Sequence, residues 1–247
     1  DAVARDPLGI GMTTFSETGN TELLLLRGAC GIATAASPTA LKAEDYPLTT
    51  PLFLYRPPHR LPRLVREFLA YVRSPAAAPV IGRAGFVDLG VQRIPLERQG
   101  ERMANAITAA GAEVKLSDLK TLVETIRDTE RLSLSFRFEA GTAALDAQSR
   151  SNVDLLADQL EAGAYDGEPL LFAGFTDGAG SAAANLNLAR ERAEAVRAAV
   201  LDAAPFADRE KTSLRVVAFG EAMPMACDDR DWGRRANRRV EVWVDQR

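Results

Sequence analysis

Apolar and polar positions divide the chain into three stretches. Between Leu8 and Leu89, apolar runs at Ile10 to Phe15, Thr21 to Leu26 and Leu52 to Tyr55 are broken by Pro and Gly, which predicts strands. A helix is predicted from about Leu61 to Val72, apolar at Leu64, Phe68 and Val72. Together these read as an α/β module. From about Leu96 to Thr129 the spacing becomes helical, with Ile107, Leu116, Leu119, Val123 and Ile126 in register and Ser117 placed to cap the second helix. This is a helical connector. Its apolar stripe needs cover, either from a neighbouring part of the chain or from a second copy.

The stretch from Leu132 to Val244 is patterned most cleanly. Leu132, Leu134, Phe136 and Phe138 alternate with Ser133, Ser135, Arg137 and Glu139, which predicts a strand with one face on a core. A helix follows with Val153, Leu156, Ala157 and Leu160 on one side, then a strand from Pro169 to Thr176. A long helix carries Leu186, Ala189, Ala193, Val196 and Val200, and Leu214 to Phe219 and Val240 to Val244 supply further strands. The alternation predicts a layered α/β sandwich of about 115 residues, with helices on one side of a mixed sheet.

Composition narrows the chemistry. Apolar residues at 47% and charged residues at 26% are ordinary globular values, and 30 basic against 34 acidic residues leave a net charge of −4. Nothing in that balance calls for nucleic acid or an acidic membrane surface. No apolar run reaches the roughly 18 residues of a membrane span. The chain opens on Asp1 and at once on structured-looking sequence, so a mature or trimmed fragment is expected. Two cysteines, Cys30 and Cys227, and one histidine, His59, nearly exclude metal sites of sulfur and imidazole and supply no cofactor motif. One disulfide is allowed in an oxidising compartment, but sequence cannot place the two Cα atoms.

No catalytic constellation emerges. His59 lies in a proline-rich turn without an evident serine partner and reads as a solvated loop residue. Asp228 and Asp229 sit among Arg230, Arg234 and Arg235, where solvated ion pairs are the default. The glycines of Gly174 to Gly180 lie where a strand gives way to a helix, yet the lysine of a phosphate loop is absent and Asp177 would repel phosphate. A non-enzymatic role is expected. On the helix after that turn, Asn185 and Arg192 are two turns apart and share a face. Asp177 and Arg192 held across one shallow pocket match a zwitterion, the carboxylate taking an ammonium and the guanidinium fork a carboxylate. The plainer alternative is that Asp177 caps the helix and Arg192 is a surface residue.

Five motifs sharpen this reading: Phe136 to Gly141, Gly174-Phe175-Thr176-Asp177, Asn185 to Ala193, Phe219-Gly220-Glu221 with Pro224, and Asn237 to Val242. In order and spacing they resemble the OmpA-like C-terminal domain. The resemblance implies a domain in the periplasm of a Gram-negative bacterium, outer-membrane associated, that binds peptidoglycan noncovalently through the diaminopimelate of the stem peptide. It implies that Asp177 takes the ammonium and Arg192 the carboxylate. Asn185, Arg238 and Thr176 are further ligand contacts, with the backbone from Glu139 to Thr142 as a wall. The chain departs from the family at Phe175, where histidine is usual, and at Ala189, often serine, so those side-chain contacts are lost. Arg238 and Arg239 read equally well as a sheet-edge ion pair with nearby acids.

The first stretch, through Asp6 to Gly11, Tyr46 to Tyr55 and Val80 to Phe86, resembles the C-terminal portion of a PstS-like, phosphate-type periplasmic solute-binding protein. That family's anion ligands lie mainly ahead of the resembling segments. The expected architecture is α/β: a remnant of a periplasmic-binding-protein-like lobe (1–95), a helical connector (96–130) and an OmpA-like βαβαβ sandwich with helices on a mixed sheet (131–247). The expected function is to tether a solute-binding-type module to the wall. The alternative is a receptor for phosphate or a related oxyanion that uses the OmpA-like part only as an anchor. Self-association through exposed strand edges is a further expectation.

Overall fold

The computed structural model describes residues 2–139 and 144–246. In chain order its elements are β1 (Leu26–Arg27), β2 (Ala33–Thr34), α1 (Pro38–Lys42), α2 (Arg63–Arg73), α3 (Ala78–Arg83), β3 (Arg93–Pro95), α4 (Gly100–Thr108) and α5 (Leu116–Ile126). There follow β4 (Thr129–Arg137), α6 (Ala147–Glu161), β5 (Leu170–Phe175), α7 (Ala182–Ala203), β6 (Leu214–Gly220), α8 (Asp231–Asn237) and β7 (Arg239–Asp245).

Five strands form one mixed sheet in the order β3-β4-β7-β5-β6. Only β5 and β6 run parallel, and the long helix α7 makes the crossover between them. The alternation read in Leu132, Leu134, Phe136 and Phe138 does line one face, together with Leu170, Phe172, Val240, Val242 and Val244. Against it pack Val153, Leu156 and Leu160 of α6 and Ala193, Val196 and Val200 of α7. Burying each of the larger side chains contributes about 1.5–3 kcal/mol. Along α7 the buried stripe runs Asn185, Ala189, Ala193, Val196 and Val200. Leu186, expected in that stripe, is 40% exposed. A four-residue step back from Ala189 lands on Asn185, so an amide enters the interior where a leucine was expected.

Within the sandwich α6 and α7 do lie on one side of the sheet, as expected, and the other side is covered from outside it. The connector supplies the cover for the second face: Ala106 of α4 and Leu122 and Ile126 of α5 pack with Leu171, Ala173, Phe175, Phe219, Met223 and Trp243. The stripe foreseen in the connector therefore has an intramolecular partner, although Ile107, Leu116 and Val123 of it stay exposed. Ser117 is not the cap of α5. The helix starts at Leu116, and the Asp118 carboxylate accepts from the Lys115 amide at 2.8 Å.

The remainder of the second face is polar and still buried. Arg131, Ser133, Ser135 and Arg137 of β4, which the alternation read as solvent-facing, are all buried. Arg131, Ser135 and Arg137 lie beneath an arm formed by the chain around α1, while Ser133 pairs with Gln92. Asp45 accepts from Arg131 at 2.5 and 2.9 Å, Glu44 pairs with Arg137, and the Ser135 hydroxyl donates to Ala43 O at 2.8 Å. Beside them Glu241 receives Arg102 of α4 at 2.5 Å and Arg239 at 2.7 Å, with the Arg131 Nε 3.4 Å away. Burial alone would raise Glu241, but Arg102, Arg131 and Arg239 hold its carboxyl far below the usual range. Burial likewise works against Asp45, and Arg131 and Arg102 outweigh it, so this carboxyl is also lowered. Glu44 goes the other way: burial raises it and Arg137 only partly compensates. Removing one partner from such a buried pair costs about 3–5 kcal/mol. The arm is also fastened covalently, by a Cys30–Cys227 disulfide with Cα atoms 5.6 Å apart.

Residues 2–92 do not form the expected α/β lobe. The runs Ile10 to Phe15 and Leu52 to Tyr55 contain no strand, and of Thr21 to Leu26 only Leu26 belongs to one. With no neighbouring strand to complete a ladder, Ile10 and Leu52 are 83% and 76% exposed. The helix expected over Leu61 to Val72 forms as α2, but it buries none of its residues. Among the described residues no helix is long and apolar enough to cross a membrane.

Candidate functional site

The site is assembled where β5 runs into α7. Gly174 makes this junction close: a Cβ there would lie 2.0 Å from the carbonyl oxygen of Ala189, so strand and helix touch backbone to backbone. The turn passes through Gly180 at φ +99°, and the Ser181 hydroxyl caps α7 by accepting from the Ala184 amide at 3.3 Å. The helix cap is thus Ser181. Asp177 is left for other work, apart from an Asx-type contact in which Oδ1 accepts from the Ala179 amide at 3.3 Å.

Asp177 is 8% exposed, and its Oδ2 accepts from Arg238 at 2.6 Å. Arg238 stands immediately before β7, a central strand, while Arg239 points through to the other face. There Arg239 is fully buried against Glu241, with its guanidinium 4.2 Å from the Phe175 ring centroid. Its pKa falls to about 10, chiefly through burial, with Glu241 opposing and Arg102 and Arg131 adding to the drop. The two neighbouring arginines therefore do different jobs, one in the core and one at Asp177, and neither is at a sheet edge.

Arg192 lies over the Phe138 ring, 5.3 Å from its centroid. Its pKa is lowered, first by burial and then by the positive charge of Arg238, with Asp177 pulling the other way. Asp177, Arg192 and Arg238 are thus electrostatic neighbours around one site. Three polar atoms beside them are buried without a protein partner: Arg192 Nη1, Asn185 Nδ2 and Thr176 Oγ1. Asn185 and Thr176 are each 3% exposed. A buried polar group without a partner costs about 1–3 kcal/mol, so each of the three is a candidate ligand contact. Of the wall expected from Glu139 to Thr142, Ala140, Gly141 and Thr142 lie outside the described residues, and Glu139 pairs with Arg150 at 3.4 Å.

Phe175 and Ala189, the two departures from the family pattern, are both fully buried in the packing. His59 is exposed. Sequence reasoning missed the neighbourhood on the far side of the Asp177 turn. A cavity of about 300 Å³ is lined there by Glu113, Thr176, Gly178, Glu221, Asp228 and Asn237, among others. Burial raises the Glu221 carboxyl, and the charges of Glu113, Asp228 and Asp177 raise it further. The signal available was the position of Asp228, nine residues ahead of Asn237 in the last motif, which the surrounding arginines masked. No group of three or more His, Cys, Asp or Glu among the described residues is arranged to hold a metal ion.

Residues 137–238 match the OmpA family. No curated protein matches the chain. Among solved structures, the chain is similar to the peptidoglycan-associated lipoprotein from Burkholderia pseudomallei at 24% identity and a TM-score of 0.39, over 44% of this chain and 88% of that one. It is also similar to the C-terminal domain of Helicobacter pylori MotB, at 22% identity and a TM-score of 0.39, over 46% of this chain and 85% of that one. Residues 137–238 thus form an OmpA-like domain on a mixed sheet.

Proposed function

We propose that this chain binds peptidoglycan noncovalently in the periplasmic envelope, through the diaminopimelate of the stem peptide, and performs no catalysis. The observation that carries the reading is that Asp177, Arg192 and Arg238 are electrostatic neighbours, with Arg238 2.6 Å from the Asp177 carboxylate and Arg192 Nη1 buried without a partner. A free amino acid end supplies what they lack. Its carboxylate accepts from the Arg192 fork and the Asn185 amide, and its ammonium donates to Asp177. In the structure Arg238 pairs with Asp177 at 2.6 Å. The incoming ammonium takes over that acceptor, and Arg238 turns beside Arg192 to the ligand carboxylate. Thr176 donates its hydroxyl to the same anionic group.

One such charged pair supports a weak single-site affinity, on the order of micromolar to millimolar. A polymeric wall compensates by avidity. Residues 2–92 do not form a solute-binding lobe, so the reading rests on the OmpA-like part alone; heat on titrating the chain with phosphate would instead favour the receptor role. The main test is co-sedimentation with insoluble peptidoglycan. Asp177→Asn and Arg192→Met are each expected to leave the chain in the supernatant, Arg192→Met at an unreduced melting temperature. Sedimentation of both variants at the wild-type level overturns the reading.

A further inference from the structure

We propose that Asp228 is a positioning residue for this site, holding the turn that carries Asp177 and the strand entry that carries Arg238 in mutual register; the inference rests on the ligand reading above. Asp228 Oδ2 accepts from the Gly178 amide at 2.6 Å, and Oδ1 accepts from the Asn237 side-chain amide at 2.7 Å. Gly178 directly follows Asp177, and Asn237 directly precedes Arg238. One carboxylate therefore spans the two segments whose charged side chains meet at 2.6 Å.

Both ends of this brace are firm. Asn237 is 1% exposed, and its amide is fully committed. Its Oδ1 accepts from Met225 and Ala226 amides at 2.7 and 3.1 Å, and its Nδ2 also donates to Ala226 O at 2.8 Å. Asp228 itself follows Cys227, which is bonded to Cys30, and its carbonyl accepts from Arg234 at 2.6 Å. At the other end, a side chain at residue 178 would push against the carboxylates beside it. A Cβ there would sit 2.8 Å from Glu221 Oε2 and 3.0 Å from Asp228 Oδ2. The chemistry explains why the brace matters. An ammonium and a carboxylate on one ligand are read together only if Asp177 and the arginines keep a fixed separation, and a displacement of about 1 Å costs up to about a hundredfold.

The test is calorimetry of the full chain with meso-diaminopimelate, using wild type, Asp228→Asn, Asp177→Asn and the double variant. Asp228→Asn keeps the shape but replaces one acceptor with a donor, and is expected to weaken binding about tenfold. In the Asp177→Asn background the same change is expected to cost less than about threefold, because an arm already disabled has no position to lose. Losses that simply multiply, or an Asp228→Asn chain that binds as wild type does, overturn the proposal. Failure of the wild type to bind overturns the ligand reading instead. If Asp228→Asn does not fold, nuclear magnetic resonance of the wild type decides. Ligand is expected to shift the Gly178 backbone amide and the Asn237 side-chain amide together, and a saturated complex in which neither moves overturns the brace.

Discussion

Arg192→Met separates what Arg192 does for the fold from what it does for a ligand, and the two effects have opposite signs. Methionine keeps an unbranched apolar stem in place and removes the guanidinium. That guanidinium has a buried Nη1 without a protein partner, and burial depresses its pKa. Relieving one unsatisfied buried donor returns about 1–3 kcal/mol. The change also removes the cation–π contact to Phe138, 5.3 Å from the ring centroid, which is worth about 0.5–1 kcal/mol. The net effect is a chain about 0–2.5 kcal/mol more stable. At this size that raises the melting temperature by about 2–4 °C per kcal/mol. For the ligand, one hydrogen bond to a charged group is lost, about 1.5–3 kcal/mol, which weakens binding roughly 10- to 150-fold. Thermal melts and a diaminopimelate titration on the same sample read both numbers. A variant destabilised by more than about 1 kcal/mol that still binds as wild type refutes the reasoning, because Arg192 would then be a structural residue.

Three further outcomes follow from the packing. Gly174→Ala drives a methyl group to 2.0 Å from the Ala189 carbonyl oxygen, so it is expected to cost about 3 kcal/mol or more and lower the melting temperature by about 6–12 °C; an unchanged melt refutes the close junction. Cys30→Ser opens a covalent loop with a sequence separation of 197, worth up to about 5 kcal/mol in the chain-entropy picture, and limited proteolysis within residues 2–45 is expected to accelerate; an unaltered cleavage rate refutes the fastening role. The pH dependence has a defined sign. Asp45 and Glu241 are lowered from ordinary values of 3.8 and 4.5, so their contribution is complete above those values and is lost as pH falls below them. Glu44 is raised from 4.5, so its contribution is present below that value and lost as pH rises through its folded pKa. Urea midpoints are expected to fall steeply below about pH 4 with only a shallow loss above 4.5, and a midpoint that is flat in acid refutes the buried pairing.

The arm shows why the second face of the sheet was not legible. Arg131 and Arg137 alternate with leucines and phenylalanines, and a charged residue in that pattern reads as solvent-facing. Their burial depends on carboxylates 86 and 93 positions away, and that of Glu241 on an arginine 139 positions away. No local period encodes such a partner. The first stretch failed for the complementary reason. Its apolar runs satisfy the local criterion for strands, but a strand exists only with a neighbour to receive its hydrogen bonds, and Ile10 to Phe15 has none.

The candidate site was legible to the extent that it is carried on short segments. Asp177 ends one strand, and Asn185 and Arg192 lie two turns apart on one helix, so their grouping follows from periodicity and motif spacing. Arg238 against Arg239 could not be divided that way, since strand alternation says that they point apart but not which one meets Asp177. Asp228 was read as one more solvated acid.

The sequence alone determined the strand and helix periods from β4 to β7, the face that α6 and α7 cover, and the residue types gathered at the β5–α7 turn, because each rests on spacings of two to seven positions. The tertiary structure decided the disulfide, the cover on the second face, the burial of the arginine network and the occupation of Asp177 by Arg238. Those depend on which distant carboxylates and apolar stripes reach one another, and pairing across such separations is chosen by packing and desolvation of the whole chain.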